Sequence, residues 1–194
     1  MDISGIILAG GKSRRMGKNK AILEIGGVAM IERVAGVLSQ VCSEIIIAGE
    51  NSDVEQLGYL TVPDIFPGCG PLCGLHAGLL AAQNRYCFAA ACDIPFLDAG
   101  LMKKIIGEIE EGYGAIMLRA GQFFEPLFSV YSKDYARAAE ECIKKGRFKV
   151  TAPLDLIRWK EVTVTPQDLA ELQKTLMNIN TPEEYQRAKE FEKG

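Results

Sequence analysis

What this 194-residue chain lacks narrows its chemistry before any motif is read. No uninterrupted apolar run approaches the ~18 residues of a membrane span. Met1-Asp2 leads straight into an apolar segment, leaving no room for a signal peptide, so a cytoplasmic protein is expected. There is no basic excess: 22 Lys and Arg stand against 25 Asp and Glu, for a net charge of −3. Without a global basic field, nucleic acid is not an expected partner, and any cationic site has to be local. There is no internal repeat, low-complexity tract or linker long enough to divide the chain, so one domain over residues 1–194 is expected. Histidine is nearly absent. The single one, His76, follows Cys69 and Cys73, and a metal site built on these three would be one ligand short of a zinc tetrahedron. The other four cysteines, Cys42, Cys87, Cys92 and Cys142, sit in apolar or helical contexts where cysteine behaves as a small hydrophobe. Reduced, structural thiols are the expectation for all six.

What is present is concentrated near the amino end. Ile6-Ile7-Leu8 suits a strand buried on both faces, with Ala9 closing it. Gly10 and Gly11 then permit backbone angles and close approaches that a side chain would forbid. Lys12, Ser13, Arg14, Arg15, Lys18 and Lys20 follow within ten positions. A strand entering a glycine turn with free N–H groups and clustered cations suits an anion, most simply a nucleoside triphosphate. A solvated basic loop after an ordinary strand is the plainer alternative. The spacing is neither that of the ATPase phosphate loop nor Gly-x-Gly-x-x-Gly, because Gly10 and Gly11 are adjacent and the next glycine is Gly17.

Strand-length apolar runs alternate with stretches of helical period, which predicts a largely parallel α/β sheet. The strands expected are Ile3–Ala9, Glu44–Ala48, Leu60–Val62, Tyr86–Cys92, Gly114–Leu118, Leu127–Tyr131 and Lys160–Val164. The helices expected are Ala29–Gln40, Leu72–Asn84, Ala99–Glu111, Lys133–Lys145, Pro166–Leu172 and Pro182–Glu192. In such sheets ligands bind beyond the carboxyl ends of the strands. Asp93 follows the apolar run Cys87–Ala91 and would project at that edge, near the first loop. A carboxylate and a triphosphate so placed repel unless a cation lies between them, and magnesium bridges such pairs. The competing reading makes Asp93 the N-cap of the next turn. Lys20, nine residues beyond Gly11, can reach the same loop with a compact mobile charge.

The ordered string Leu8-Ala9-Gly10-Gly11-x-Ser13-x-Arg15-Met16-Gly17-x-x-Lys20 closely resembles the opening signature of Rossmann-like nucleotidyltransferases. Within that group it is most similar to the molybdenum cofactor guanylyltransferases, the molybdopterin-guanine dinucleotide biosynthesis protein A family. Cys92-Asp93-Ile94-Pro95-Phe96 resembles the family's metal-binding segment, and Gly68–Gly74 its Gly-Pro-Leu-x-Gly turn. Glu125-Pro126-Leu127-Phe128-x-x-Tyr131 and Asn178-Ile179-Asn180-Thr181-Pro182-Glu183-Glu184 resemble two later family strings. Together these span Ile6 to Glu184.

The resemblance implies an α/β, single-domain Rossmann-like nucleotidyltransferase fold, a mostly parallel twisted sheet flanked by helices. It implies a magnesium-dependent enzyme that moves GMP from GTP to Mo-molybdopterin, with transient contact to molybdenum-insertion proteins or molybdoenzymes. Lys20, Asp93 and Arg15 are the implied catalytic residues, with Asp93 holding Mg2+. The implied nucleotide-binding residues are Leu8, Ala9, Gly10, Gly11, Lys20, Asp64, Gly70, Pro71 and Asp93. Asp64 also reads as an ordinary turn residue after Pro63, and Asn180 as a plain helix entry or as a ligand to metal or pterin. Lys144, Lys145, Arg147 and Lys149 could dock a pterin phosphate, although helix-dipole compensation explains the first two. Two departures stand out. Asn19-Lys20 replaces the family's Asp-Lys, and Ala48 falls where the family carries an asparagine that helps read guanine, with Asn51 three residues later. Base choice is thus open between guanine and cytosine. A molybdopterin cytidylyltransferase or another sugar- or polyol-phosphate nucleotidyltransferase is the alternative enzyme, and a nucleotide-binding adaptor without turnover the alternative of another class.

Overall fold

The computed structural model describes residues 1–10, 20–49, 54, 57–165 and 168–192. Its strands are β1 (Ser4–Leu8), β2 (Glu24–Ile25), β3 (Val28–Ala29), β4 (Glu44–Ala48), β5 (Leu60–Val62), β6 (Tyr86–Ala91), β7 (Ala115–Ala120), β8 (Phe123–Phe124), β9 (Phe128–Ser132) and β10 (Trp159–Thr163). The helices among the described residues are α1 (Met30–Leu38), α2 (Pro71–Ala81), α3 (Ala99–Gly107), α4 (Lys133–Lys144), α5 (Leu169–Thr175) and α6 (Pro182–Phe191). Seven strands run in the order β10-β7-β9-β6-β1-β4-β5, with β8 added on β7, while β2 and β3 form a separate hairpin.

β1 lies inside the sheet because its five residues are all buried, leaving no polar face to turn outward. It pairs in parallel with β4 on one side and β6 on the other. β5 continues the parallel run beyond β4, and β10 pairs in parallel with β7. β9 alone of the long strands is reversed, antiparallel to both β6 and β7. The sheet is therefore mostly parallel, and all its long strands except β9 end at the same edge.

Side chains alternate across it. Ile6 and Leu8 join a cluster with Leu72, Cys73, Leu75 and Leu79 of α2 and with Tyr135, Ala139 and Cys142 of α4. Ile7 joins the opposite cluster, with Ile31, Val34 and Leu38 of α1 and Leu101, Met102 and Ile105 of α3. Each such fully buried aliphatic contributes roughly 1.5–3 kcal/mol relative to exposure. α2 approaches unusually closely. A Cβ on Gly74 would stand 2.8 Å from Leu8 Cδ2, and one on Gly78 would stand 2.7 Å from Ile6 Cγ2. The helix thus rests on β1 through its glycines, with its first turn over the strand's carboxyl end.

Several boundaries differ from expectation. The helix expected to reach Asn84 ends at Ala81 because the following residues are bonded to the foot of the sheet. Gln83 N donates to Glu44 Oε1 at 2.7 Å, and Asn84 Nδ2 donates to Ser4 Oγ and Ser43 Oγ at 3.1 and 2.9 Å. The helix expected over Pro166–Leu172 is α5, displaced towards the carboxyl end, with Asp168 as its N-cap. The expected reduced state of all six cysteines is also corrected. Cys69 and Cys73 form a disulfide, their Cα atoms 5.9 Å apart, Cys69 just before the N-cap Gly70 and Cys73 in the first turn of α2. Only the spacing of four hinted at this, since it is also the spacing of neighbours on a helix. Burial pushes the Cys42, Cys87 and Cys92 thiols up to about 12, so these remain neutral apolar fillers as read from the sequence. Among the described residues no helix is long and apolar enough to cross a membrane.

Candidate active site

The ends of the parallel strands are level. Leu8 of β1 pairs with Ala48 of β4 and Ala91 of β6, and Ala48 pairs with Val62 of β5. The ladder runs one step further: Ala9 N donates to Ala48 O, Gly49 N to Val62 O and Cys92 N to Leu8 O, at 2.9, 2.9 and 3.2 Å. Gly10 and Asp93 are therefore each two residues past paired positions on adjacent strands, one strand spacing apart. From β1 the chain crosses by α1 to β4 on one side, and from β5 by α2 to β6 on the other. This is the switch point at which open α/β sheets bind ligands.

Gly10 is exposed here and Gly49 lies against it. A Cβ on Gly49, whose φ is +125°, would stand 2.6 Å from Gly10 N and 2.8 Å from Gly10 Cα. Only glycine allows both this backbone angle and this approach. Leu8 and Ala9 are buried, so any ligand contact from them is through the main chain. Gly70, with φ +76°, is the N-cap of α2 and Pro71 its first residue, both exposed. Asp64 is half-buried beside them, its Oδ1 3.5 Å from where a Cβ on Gly74 would be. Its carboxylate thus lies against the first turn of α2. Gly11, Arg15 and the neighbouring Lys12, Ser13, Arg14, Lys18 and Asn19 lie outside the described residues, as does Asn51.

Lys20 opens a 3₁₀ turn, Lys20–Ile22, and reaches back to the edge. Its Nζ donates to Asn180 Oδ1 at 2.5 Å and lies 3.9 Å from Asp93 Oδ2. Asn180 comes from the far end of the chain. Ile179 N donates to Asp93 O at 2.9 Å, which ties that segment to the residue after β6. The Glu184 carboxylate accepts from Asn180 N at 2.6 Å and Thr181 N at 3.0 Å, while Thr181 Oγ1 accepts from Glu184 N at 3.2 Å. This capping box starts α6 and fixes the residue just before it, so Asn180 is aimed by a helix start without being its cap. The sequence marks Lys20, Asp93 and Asn180 separately. Nothing in it signals that one ammonium is shared between the other two.

Burial pushes the Asp93 carboxyl up from the ordinary carboxylate range; the Lys20 ammonium pulls it down, and Glu184 raises it further. The helix that follows, α3, is capped by Asp98, whose Oδ1 accepts from Leu101 N at 2.7 Å, and not by Asp93. Lys144, Lys145 and Arg147 form a separate group. They reach Glu140, Glu141 and Asp155, each at 2.5 Å, on the exposed end of α4 and the loop after it.

The family described as MobA-like NTP transferase domain matches residues 5–162. The chain belongs to this family. A probable molybdenum cofactor guanylyltransferase from Pelotomaculum thermopropionicum is 43% identical over 192 residues, covering 97% of this chain and 93% of the relative. The solved structure of molybdopterin-guanine dinucleotide biosynthesis protein A from Archaeoglobus fulgidus superposes with a TM-score of 0.81 at 26% identity, covering 97% of this chain and 98% of that one. The 2-C-methyl-D-erythritol 4-phosphate cytidylyltransferase of Thermus thermophilus shares the fold, with a TM-score of 0.71 at 16% identity over the full length of both chains.

Within this family of nucleotidyltransferases, Ala48 stands out. Its methyl lies 3.7 Å from where a Cβ on Gly74 would be, buried beneath α2. That position is packed beneath the helix, and its methyl offers a base no hydrogen bond. The Asp93 carboxylate and Asn180 amide oxygen, both beside Lys20, are hard oxygen donors of the kind magnesium or manganese takes. No group of three or more His, Cys, Asp or Glu side chains converges for a metal among the described residues. A divalent ion would therefore draw most of its coordination from phosphate and water, the usual pattern for magnesium at nucleotide sites.

Proposed function

We propose that this chain transfers GMP from GTP to the terminal phosphate of Mo-molybdopterin, forming the guanine dinucleotide and releasing pyrophosphate. The single observation that carries this reading is the convergence of Lys20, Asp93 and Asn180 one strand spacing from the exposed main chain of Gly10, which rests against the buried Gly49. Family membership and the guanylyltransferase activity for which its relatives are named support GTP and Mo-molybdopterin as the substrates.

In this reading the triphosphate lies along Gly10 and across the N-terminal turn of α2, an end that favours an anion although Pro71 has no N–H and Cys73 N donates to Gly70 O. The roles of Gly11 and Arg15 toward the phosphates belong to this reading on the sequence resemblance alone. Asp64, over the same turn, contacts the nucleoside. An acceptor phosphate oxygen attacks the α-phosphorus in line. The new P–O bond forms as the bond to the bridging oxygen breaks, and its electron pair leaves with pyrophosphate. The acceptor is already an anion near neutral pH, so no strong base is required. Lys20 supplies positive charge to the α-phosphate as negative charge builds there. Asn180 holds that ammonium in place, which removes reorganisation from the reacting step. Asp93 and Asn180 would hold a divalent ion, magnesium in this reading, and the ion would supply further neutralising charge to the phosphates.

Incubating the purified chain with Mg2+, Mo-molybdopterin and each of GTP, CTP, UTP and ATP, and measuring pyrophosphate and dinucleotide mass, tests the assignment. Product with GTP is expected. Product with CTP alone would replace guanylyl by cytidylyl transfer, and nucleotide binding without pyrophosphate would make the chain an adaptor.

A further inference from the structure

The segment joining β7 to β9 carries a carboxylate that the transfer step does not use. Asp93 lies three residues beyond Ala90 of β6; Glu125 lies three residues before Phe128, Ala90's partner on β9. The two carboxylates thus stand at one edge on neighbouring strands, with Glu125 on the side away from β4 and β5. Its backbone is held from several directions. Glu125 N donates to Leu118 O at 2.9 Å, extending the β7–β8 ladder by one position. Glu125 O accepts from Phe128 N at 3.0 Å and from Ser129 Oγ at 2.7 Å, and Ser129 Oγ accepts from Leu118 N at 3.0 Å. The next carbonyl, Pro126 O, accepts from the Tyr131 hydroxyl at 2.7 Å. Ser129 and Tyr131 are fully buried, so two interior polar groups serve to fix this one turn.

The register sets direction. Glu125 faces the side of Leu118, which belongs to the α1 and α3 cluster, together with Phe123 two residues earlier. Phe124 points the other way, stacked edge-on against Trp159 with Arg119 over its ring. Phe123 is 74% exposed, an aromatic face left open among the described residues. Glu125 is half-buried, and burial pushes its carboxyl up with no hydrogen bond or neighbouring charge among the described residues to offset it. A half-buried carboxylate on a held backbone, two residues along an extended segment from an exposed ring, suits a flat heterocycle with paired donors.

We propose that Glu125 and Phe123 form the acceptor-side recognition site, in which the Glu125 carboxylate receives the adjacent ring N–H and exocyclic amine of a pterin and Phe123 lies against its face. This rests on the reading that the acceptor is a pterin phosphate. The two parallel donors of a 2-amino-4-oxo edge match two carboxylate oxygens, and each would return a partner that burial has removed. Lumazine, in which a carbonyl replaces the amine, sets an acceptor against the carboxylate and is rejected.

The test uses the full chain with pterin and lumazine as fluorescent probes and, separately, steady-state transfer with Mo-molybdopterin and GTP. Wild type binds pterin at least about tenfold more tightly than lumazine, the discrimination expected when a buried polar group is left unpaired. Glu125→Gln abolishes that preference and raises the KM for the acceptor about tenfold, leaving the KM for GTP and kcat near wild type. Phe123→Ala, at a surface position that cannot threaten folding, weakens binding of both probes. Equal binding of pterin and lumazine by wild type, an unchanged preference in Glu125→Gln, or a defect in GTP KM alone overturns the proposal. A wild type that fails to make the dinucleotide yet keeps the Glu125-dependent preference removes the guanylyl-transfer reading and leaves this one standing.

Discussion

Two of the places where basic side chains meet carboxylates differ in almost every respect except composition. At the end of α4, Lys144, Lys145 and Arg147 sit 2.5 Å from Glu140, Glu141 and Asp155, all well exposed. At the sheet edge, Lys20 and Asp93 are 3.9 Å apart, with side-chain exposures of 17% and 23%. Distance alone would rank the first group higher. The surface pairs are nevertheless screened by water and arise from neighbouring turns of one helix or a short loop, where such contacts form at little cost and contribute little. The sheet-edge pair takes residues 73 positions apart, adds Asn180 from 160 residues beyond Lys20, and holds a carboxylate where burial disfavours its charge. A costly arrangement kept in the absence of a strong bond points to function; a short exposed bond does not.

The comparison breaks if Asp93 proves dispensable. Asp93→Ala should reduce guanylyl transfer below detection with the circular dichroism spectrum unchanged, and near-normal magnesium-dependent turnover would remove Asp93 from the site. Asp93→Asn sharpens the point, because it separates charge from shape. Asp93 titrates above its ordinary 3.8, chiefly through burial. The stability tied to its protonated form is therefore complete below about that ordinary value and is lost as pH rises through the folded-state value. The asparagine variant escapes this loss. Its urea stability without ligands should match wild type near pH 3 and exceed it at pH 7, while transfer is lost at both. Lower stability at pH 7 would mean that the Lys20 contact outweighs the burial of Asp93.

Lys20→Ala comes next. Its charge matters most when the α-phosphate is most negative, so kcat should fall by about 10²–10³-fold, comparable to losing one oxyanion donor. GTP affinity should change far less. Asn180→Asp keeps an oxygen beside Lys20 but adds a charge next to Asp93; it should hold the ammonium more tightly and slow transfer by a smaller factor. Equal loss of binding and turnover in Lys20→Ala would make the lysine a ground-state anchor.

Which parts of this could be read from the chain follows from the range of the forces involved. β4 and β5 match their expected limits residue for residue, since an apolar run ended by polar or glycine residues is a local signal. The reversal of β9 was not legible, because Phe128–Ser132 looks alike in either direction and only its pairing with both β6 and β7 decides it. The short β2–β3 hairpin was missed because two-residue strands have no period. In the site, Gly10 and Asp93 carried their own signals as residues following apolar strands. That they stand one strand spacing apart required the strand order. The Lys20–Asn180 bond required the return of the chain to the edge, which no local pattern encodes. The Cys69–Cys73 bond runs against the expectation drawn from compartment, because the backbone where α2 begins brings these two residues together and that is not a property of composition.

Gly49 tests the main-chain side of the same edge. Its φ of +125° is closed to an L side chain, and a Cβ there would meet Gly10 N at 2.6 Å. Gly49→Ala should lower stability by about 2 kcal/mol or more through strain alone, and it should weaken GTP binding by displacing Gly10. A variant as stable as wild type would mean that the two loops part easily, and the cradle would then be shaped by ligand instead of built in advance.

The smallest effect is the most pointed for the comparison. Replacing Lys144 and Lys145 together by alanine removes two 2.5 Å contacts, yet their partners Glu140 and Glu141 stay in water and lose no solvation. Alanine also has the higher helix propensity, which offsets the lost pairs within α4. Thermal unfolding and the KM for GTP should both stay at wild-type values. The KM for Mo-molybdopterin is the discriminating measurement, because these lysines lie near the carboxyl end of α4 and could serve as a dock for the acceptor's phosphate. An unchanged value assigns them to helix charge compensation and leaves recognition of the acceptor to Glu125 and Phe123. A rise with ionic strength held constant would move part of that recognition onto α4, and the contrast between a functional buried pair and an idle exposed one would hold only for stability.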